Sequence, residues 1–260
     1  MSIVFIISAP SGSGKSTLTG ELLKSVPHLQ FSVSYTTRPP RGSEKDGREY
    51  HFVSKEKFEE MTAAGEFLEY ACVFGDCYGT ARRYLREAEA AGNDLVLDID
   101  VQGAAQLKQK IPPAVSIFIL PPSRDELEKR LRRRSEGEKQ VESAERRQSD
   151  EARGQVIRKR LQTAAKEIEN YSAYSYILVN DQLEQSIDRL KAIVLAERME
   201  RAGVRLSPAE EKLVALAQTC WLPNVGEKVR QILDSFAAPV REQGKNPGSG
   251  QDTISVVERG

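Results

Sequence analysis

Ile3-Val4-Phe5-Ile6-Ile7-Ser8-Ala9-Pro10-Ser11-Gly12-Ser13-Gly14-Lys15-Ser16-Thr17 is the stretch that decides the fold. Residues 3–7 are an uninterrupted apolar run, the pattern of a strand buried on both faces. Residues 8–17 are small and polar, and residues 18–24 carry helix formers. Strand, glycine-bearing loop and helix together form the context of a phosphate-binding loop. Backbone N–H groups can turn inward on an anion there, because small residues let the chain approach closely. Lys15 is placed to reach β- and γ-phosphates, the Ser16 hydroxyl to meet Mg²⁺, and the helix to aim its positive end at the same anion. The strict pattern asks for Gly where Ala9 stands; Gly14-Lys15-Ser16 keeps the correct offset. A plain Gly/Ser turn is the competing reading, and the flanking strand and helix weigh against it.

The 260 residues suit one α/β domain with an appendage, and 39% hydrophobic residues suffice for a core. With 38 basic against 38 acidic side chains, no overall bias toward nucleic acid or membrane surfaces exists. The apolar runs are too short to span a bilayer, and the N-terminus lacks a secretory pattern. Cys72, Cys77 and Cys220 have no His partners at metal-ligand spacing. All three read as reduced thiols of a cytoplasmic protein.

Apolar runs at 95–99, 115–120 and 176–179 predict further buried strands, alternating with helical stripes. The first ends in Asp98 and Asp100, at the edge of a parallel sheet where ligands bind. Either carboxylate could hold Mg²⁺ through water; Asp100 could instead cap the turn before Gly103. Between residues 33 and 54, prolines and glycines deny a helix, and Arg38, Arg41 and Tyr50 could converge on one anion. A solvated loop is the alternative there. Helices are expected over 55–65 and 82–91, a strand over 67–71, and a turn over 75–80. The block 124–160 is charge-dense, with Arg130, Arg132, Arg133 and Arg134 nearly in a row. It reads either as a solvated face or as a lid that brings arginines over phosphates. Beyond residue 200, a capping box at Ser207-Pro208-Ala209-Glu210 opens one helix, Trp221-Leu222-Pro223 breaks it, and a second stripe follows. That pattern suggests a helical hairpin. The Gly/Pro-rich end after it is expected to be disordered.

Taken together, Ala9 to Thr17, Ser34-Tyr35-Thr36-Thr37-Arg38-Pro39-Pro40-Arg41-Gly42, Gly47 to Phe52, Phe67-Leu68-Glu69, Tyr78-Gly79-Thr80, Asp98 to Gly103 and Val179-Asn180-Asp181 resemble the guanylate kinase family. The resemblance implies an α/β fold of the P-loop NTPase type: a parallel sheet with helices on both faces, a small inserted α+β subdomain, a lid and a C-terminal helical extension. The domain would occupy residues 1–200, with core segments 1–32, 91–122 and 170–200. The GMP-binding subdomain would be 33–90, the lid 123–169, the extension 201–240 and the tail 241–260. It implies phosphoryl transfer from ATP to GMP with Mg²⁺. ATP would be held by residues 9–17 and Asn180. GMP would be held by Ser34, Arg38, Arg41, Tyr50, Glu69, Tyr78 and Thr80, with Asp98 or Asp100 helping. Lys15, Arg38, Arg134 and Arg160 would be catalytic. The segment 135–154 looks longer than the family's lid loop, leaving Arg133, Arg147, Arg153 and Arg158 as alternatives. The extension matches nothing known in the family and could dock on the core, pair with a second copy or bind a partner. A non-catalytic module binding phosphopeptides in the GMP site is the second functional reading; such modules tend to lose the loop lysine, which this chain keeps.

Overall fold

The computed structural model describes residues 2–73, 75–139 and 150–237. The chain opens with β1 (Val4–Ser8), α1 (Lys15–Ser25), β2 (Leu29–Ser32), β3 (Tyr35–Thr36) and β4 (His51–Phe52). Next come α2 (Lys55–Ala63), β5 (Phe67–Val73), β6 (Asp76–Ala81), α3 (Arg82–Ala91), β7 (Asp94–Asp98) and α4 (Val101–Lys110). β8 (Val115–Leu120), α5 (Arg124–Lys139), α6 (Asp150–Ile168), β9 (Tyr176–Val179) and α7 (Leu183–Ala202) complete the larger unit. α8 (Pro208–Gln218) and α9 (Gly226–Ala237) form the extension.

Five strands make one parallel sheet in the order β2-β7-β1-β8-β9. Its alternation sorts the core into two layers. Val4, Ile6, Leu95, Leu97, Phe118 and Leu120 face α3, α4 and α9, whereas Phe5, Ile7, Val96, Ile117 and Ile119 face α1, α7 and α8. The parallel sheet explains why β1 and β8 read as unbroken apolar runs. A smaller mixed sheet, β4-β3-β6-β5, carries the inserted subdomain.

Several expectations need correction. The stretch 75–80 is largely the strand β6, not a turn, and it pairs antiparallel with β5. Gly79 hid it: a Cβ there would come within 2.9 Å of the Phe67 ring, so close packing demands the residue that lowers strand propensity. The short strands β2 and β3 also went unread. The segment after Ser135 continues α5 to Lys139, and α6 already runs from Asp150, so Gly137 and Gly154 lie inside helices. Residues 140–149, with Arg147, lie outside the described residues, as does the tail 241–260. The extension is helical but not a hairpin. α8 packs on the α7 layer, and α9 packs on the opposite layer through Val229 and Ile232. Between them the chain crosses the sheet edge: Tyr176 bridges Trp221, Ile177 N donates to Cys220 O, and Leu222 N donates to Ser175 O. The capping box at Ser207 and Glu210 is present as read. Finally, Cys72 and Cys77 are joined in a disulfide, and Cys220 alone is a free, buried thiol. The five-residue spacing looked idle because the β5–β6 turn was not seen to place the two cysteines directly opposite each other.

Candidate active site

The C-terminal ends of β1, β7, β8 and β9 meet at one rim of the sheet, the ligand edge of an open α/β fold. From β1 the chain turns through Ala9, Pro10 and Ser11, with Ser13 N donating to Pro10 O at 3.1 Å. Gly12 and Gly14 have φ of 92° and 91°, a region open to glycine. A side chain on Gly14 would collide with the Asn180 amide. Asn180, at the end of β9, donates from Nδ2 to Ser13 O at 2.8 Å and is buried. It is thus built into the wall of the loop. Gly14 caps α1, whose first residues Lys15, Ser16 and Thr17 stand where the helix field is positive.

Lys15 pairs with Asp98 at the end of β7, and its ammonium donates to Ile99 O at 3.2 Å. Asp100 Oδ1 accepts from Gly103 N at 2.8 Å, so it caps α4, the alternative weighed for it. Both carboxylates still line the cleft.

Arg38 is 5% exposed, and its guanidinium makes a forked pair with Glu44 at 2.7 and 2.9 Å. Glu44 also accepts from Arg41 N at 2.8 Å, which closes the turn. The pair holds the Arg38 guanidinium fully charged and the Glu44 carboxyl below its ordinary range. Arg38 lies 4.9 Å from the Tyr50 ring centroid, and Tyr50 meets Tyr78 edge-on. Burial pushes the Tyr50 hydroxyl up, so it stays a neutral donor.

Glu69, on β5, is 4% exposed and accepts from Thr80 Oγ1 at 2.5 Å. Burial pushes its carboxyl from 4.5 to about 7; the Thr80 bond opposes this, and Asp100 adds to it. Thr80 itself is fully buried behind Glu69 and so orients that carboxyl from behind.

One cleft of about 740 Å³ is lined by Lys15, Ser16, Ser34, Arg38, Arg41, Tyr50, Glu69, Tyr78, Asp98, Asp100 and Arg134. Arg160, on α6, is not among its lining residues. Of the alternative lid arginines, Arg133 and Arg158 are exposed and Arg153 is buried. A groove of about 900 Å³ between α7 and α8 gathers no comparable set of anion-binding groups. Sequence reasoning missed Glu44 and Glu167, and it noted Arg130 only as one of a run of arginines. Glu44 follows Arg41 by three residues, a turn-closing spacing that could have been noticed. Arg130 Nη2 donates to Asn180 O at 3.0 Å, a contact made across a separation no local pattern shows. Glu167 lies in the cleft near Asp100 and Lys15, and burial raises its carboxyl to about 7.

A parallel sheet with a glycine loop and lysine at its rim defines a fold of the P-loop NTPase type, here with a second anion cradle across the cleft. The guanylate kinase family model matches residues 1–197. A guanylate kinase of Koribacter versatilis is 58% identical over 90% of this chain and 95% of its own length. That of Geobacter metallireducens is 48% identical over 75% of this chain and 89% of its own. The crystal structure of guanylate kinase from Anaplasma phagocytophilum superposes with a TM-score of 0.58 at 35% identity, covering 76% of this chain and 87% of that one. The chain belongs to the guanylate kinase family.

Proposed function

We propose that this protein transfers the terminal phosphoryl group of ATP to GMP, giving ADP and GDP. One observation carries the reading: Lys15 of the loop and the Arg38–Tyr50–Tyr78 cradle line the same cleft, with the Glu69 carboxyl beyond them. Two anion sites facing across one gap suit in-line transfer between two bound phosphates. Residues 9–17 would hold the ATP phosphates, with Asn180 bracing the loop. Arg38, Arg41, Tyr50 and Tyr78 would hold the GMP phosphate. Glu69 would accept from both N1–H and N2–H₂ of guanine, with Ser34 beside it. Adenine offers no such donor pair and would leave a buried carboxylate unmatched.

Mg²⁺ would enter with ATP. The Ser16 hydroxyl and the Asp98 or Asp100 carboxylate are hard oxygen donors at the mouth of the loop, a set that suits this ion. Bound there, it would neutralise charge between the β- and γ-phosphates. Lys15 would then move from Asp98 to the transferring group, and Arg134 would stabilise the same charge. Arg160 needs movement of α6 to join them.

We divide the chain into a catalytic unit over residues 1–200 and an extension docked on it. The apolar faces of α8 and α9 are spent on this chain's own sheet, which supports docking over pairing with a second copy. Among the described residues no helix is long and apolar enough to cross a membrane. ATP and GMP as substrates support a cytoplasmic place of action. A coupled assay with GMP, AMP and dTMP tests the function: strong preference for GMP is expected, and equal rates would overturn it. Retention of Lys15 argues against the phosphopeptide module, which titration with ATP–Mg²⁺ would expose by absence of binding.

A further inference from the structure

The extension beyond residue 200 lies outside the family model's match at 1–197. The Koribacter versatilis alignment, however, spans 90% of this chain and so reaches into it, which corrects the expectation that it matches nothing in the family. It is tied to the helix that carries Arg130 and Arg134. Two contacts define the tie, and a third anchors α9 beside the end of β9. First, α9 presents Val229, Ile232 and Phe236 on one face. Val229 and Ile232 are buried in the core layer, and Phe236 packs both on that layer and on the separate cluster of Leu127, Leu131, Ile157, Leu161 and Ala164 formed between α5 and α6. Second, Ser235 Oγ accepts from Arg124 N at 3.1 Å. The first turn of a helix has orphan N–H donors, and α9 satisfies one of those of α5. Third, Lys228 pairs with Asp181 at 3.2 Å, directly after Asn180.

At its other side α5 is seated on the phosphate loop. Arg130 donates to Asn180 O at 3.0 Å and to Ser13 O at 3.5 Å. A Cβ on Gly12 would meet Leu131 at 2.9 Å. The loop thus holds α5 from one side and α9 from the other.

We propose that α9 is a strut between sheet and lid base, and that Ser235 and Phe236 are positioning residues for phosphoryl transfer. They hold α5 against the ATP loop, so that Arg134 stands at the cleft before nucleotide arrives. The proposal rests on the kinase reading above. Neither residue lines the cleft, so both act through α5. Small misplacement of charged groups about a transferring phosphoryl is costly, so loosening α5 lowers turnover while the GMP cradle stays as it is.

The test compares Phe236→Ala and the milder Ser235→Ala with Leu213→Ala, which trims the α8 face in the opposite layer. In the full chain, Phe236→Ala is expected to lower kcat about tenfold and to raise the KM for ATP, with the KM for GMP unchanged. Ser235→Ala shifts the same way by less. Hydrogen exchange over residues 124–136 becomes faster in both, and not in Leu213→Ala. Unchanged exchange there, faster exchange with unchanged turnover, or an equal loss of turnover in Leu213→Ala overturns the proposal. If the wild-type chain fails to phosphorylate GMP, the kinase reading falls, and the exchange comparison still decides whether α9 braces α5.

Discussion

Glu69 offers the sharpest test of how the base pocket works. Burial holds its carboxyl near 7 rather than 4.5, so the folded chain binds that proton more tightly than the unfolded chain does. Between about pH 4.5 and 7 the native state carries the extra proton, and its stability falls as pH rises through that window. The full loss, reached above pH 7, is about 3 kcal/mol. The proposed guanine contact demands the opposite state, because N1–H and the exocyclic N2–H₂ together need an ionised acceptor. Lowering the pH from 8 to 6 should therefore weaken GMP binding about tenfold through this one group. At pH 6 binding should release most of a proton, read by calorimetry in two buffers of different ionisation enthalpy. The GMP phosphate also titrates near pH 6, and Glu167 lies in the same cleft near 7. Glu69→Gln isolates the effect. It should cost about ten- to a hundredfold in GMP affinity at pH 8, where a charge-assisted pair of bonds is lost. At pH 6 the gap to wild type should narrow about tenfold, because the wild-type carboxyl is then largely neutral. Identical pH profiles for the two proteins would refute the argument, as would tighter wild-type binding at pH 6.

Lys15→Ala should reduce turnover by about a hundred- to a thousandfold while the chain still folds cooperatively, because the loss of its Asp98 pair and Ile99 bond at the rim leaves the buried core intact; steady-state kinetics and calorimetry check both halves. Gly14→Ala sets a side chain against the Asn180 amide at φ 91°, so the melting temperature and ATP affinity should fall together. Under denaturing, non-reducing conditions a thiol reagent should label Cys220 alone, with Cys72 and Cys77 joining after reduction.

The glycine loop at the rim was legible because its residues are neighbours in sequence. Ile3 to Thr17 form one strand, one loop and one helix start, so local pattern and tertiary role coincide. Asp98 was legible as a carboxylate on a buried strand's end. The half proposed to hold GMP was legible chiefly as a resemblance. Arg38, Tyr50, Glu69 and Tyr78 sit on four separate pieces of chain, and no periodicity reveals that they share a cleft. Thr80 illustrates the limit: the resemblance placed it with guanine, and no local pattern showed that its hydroxyl donates to Glu69. Strand β6 was lost to Gly79, and with it the pairing of Cys72 with Cys77. The extension's two stripes were read correctly, but a stripe does not say which layer it covers. That depends on a crossing at Cys220–Leu222 whose bonds are made by backbone alone.

That crossing has a consequence for the protein's behaviour in solution. An outermost strand offers unspent N–H and C=O groups to any passing chain, an invitation to stack into larger assemblies. On β9 the backbone of residues 220–222 takes up part of that row, and Trp221 stands beside it. A chain cut off before Cys220 would leave this flank bare, so it should self-associate at concentrations where the full chain stays dispersed.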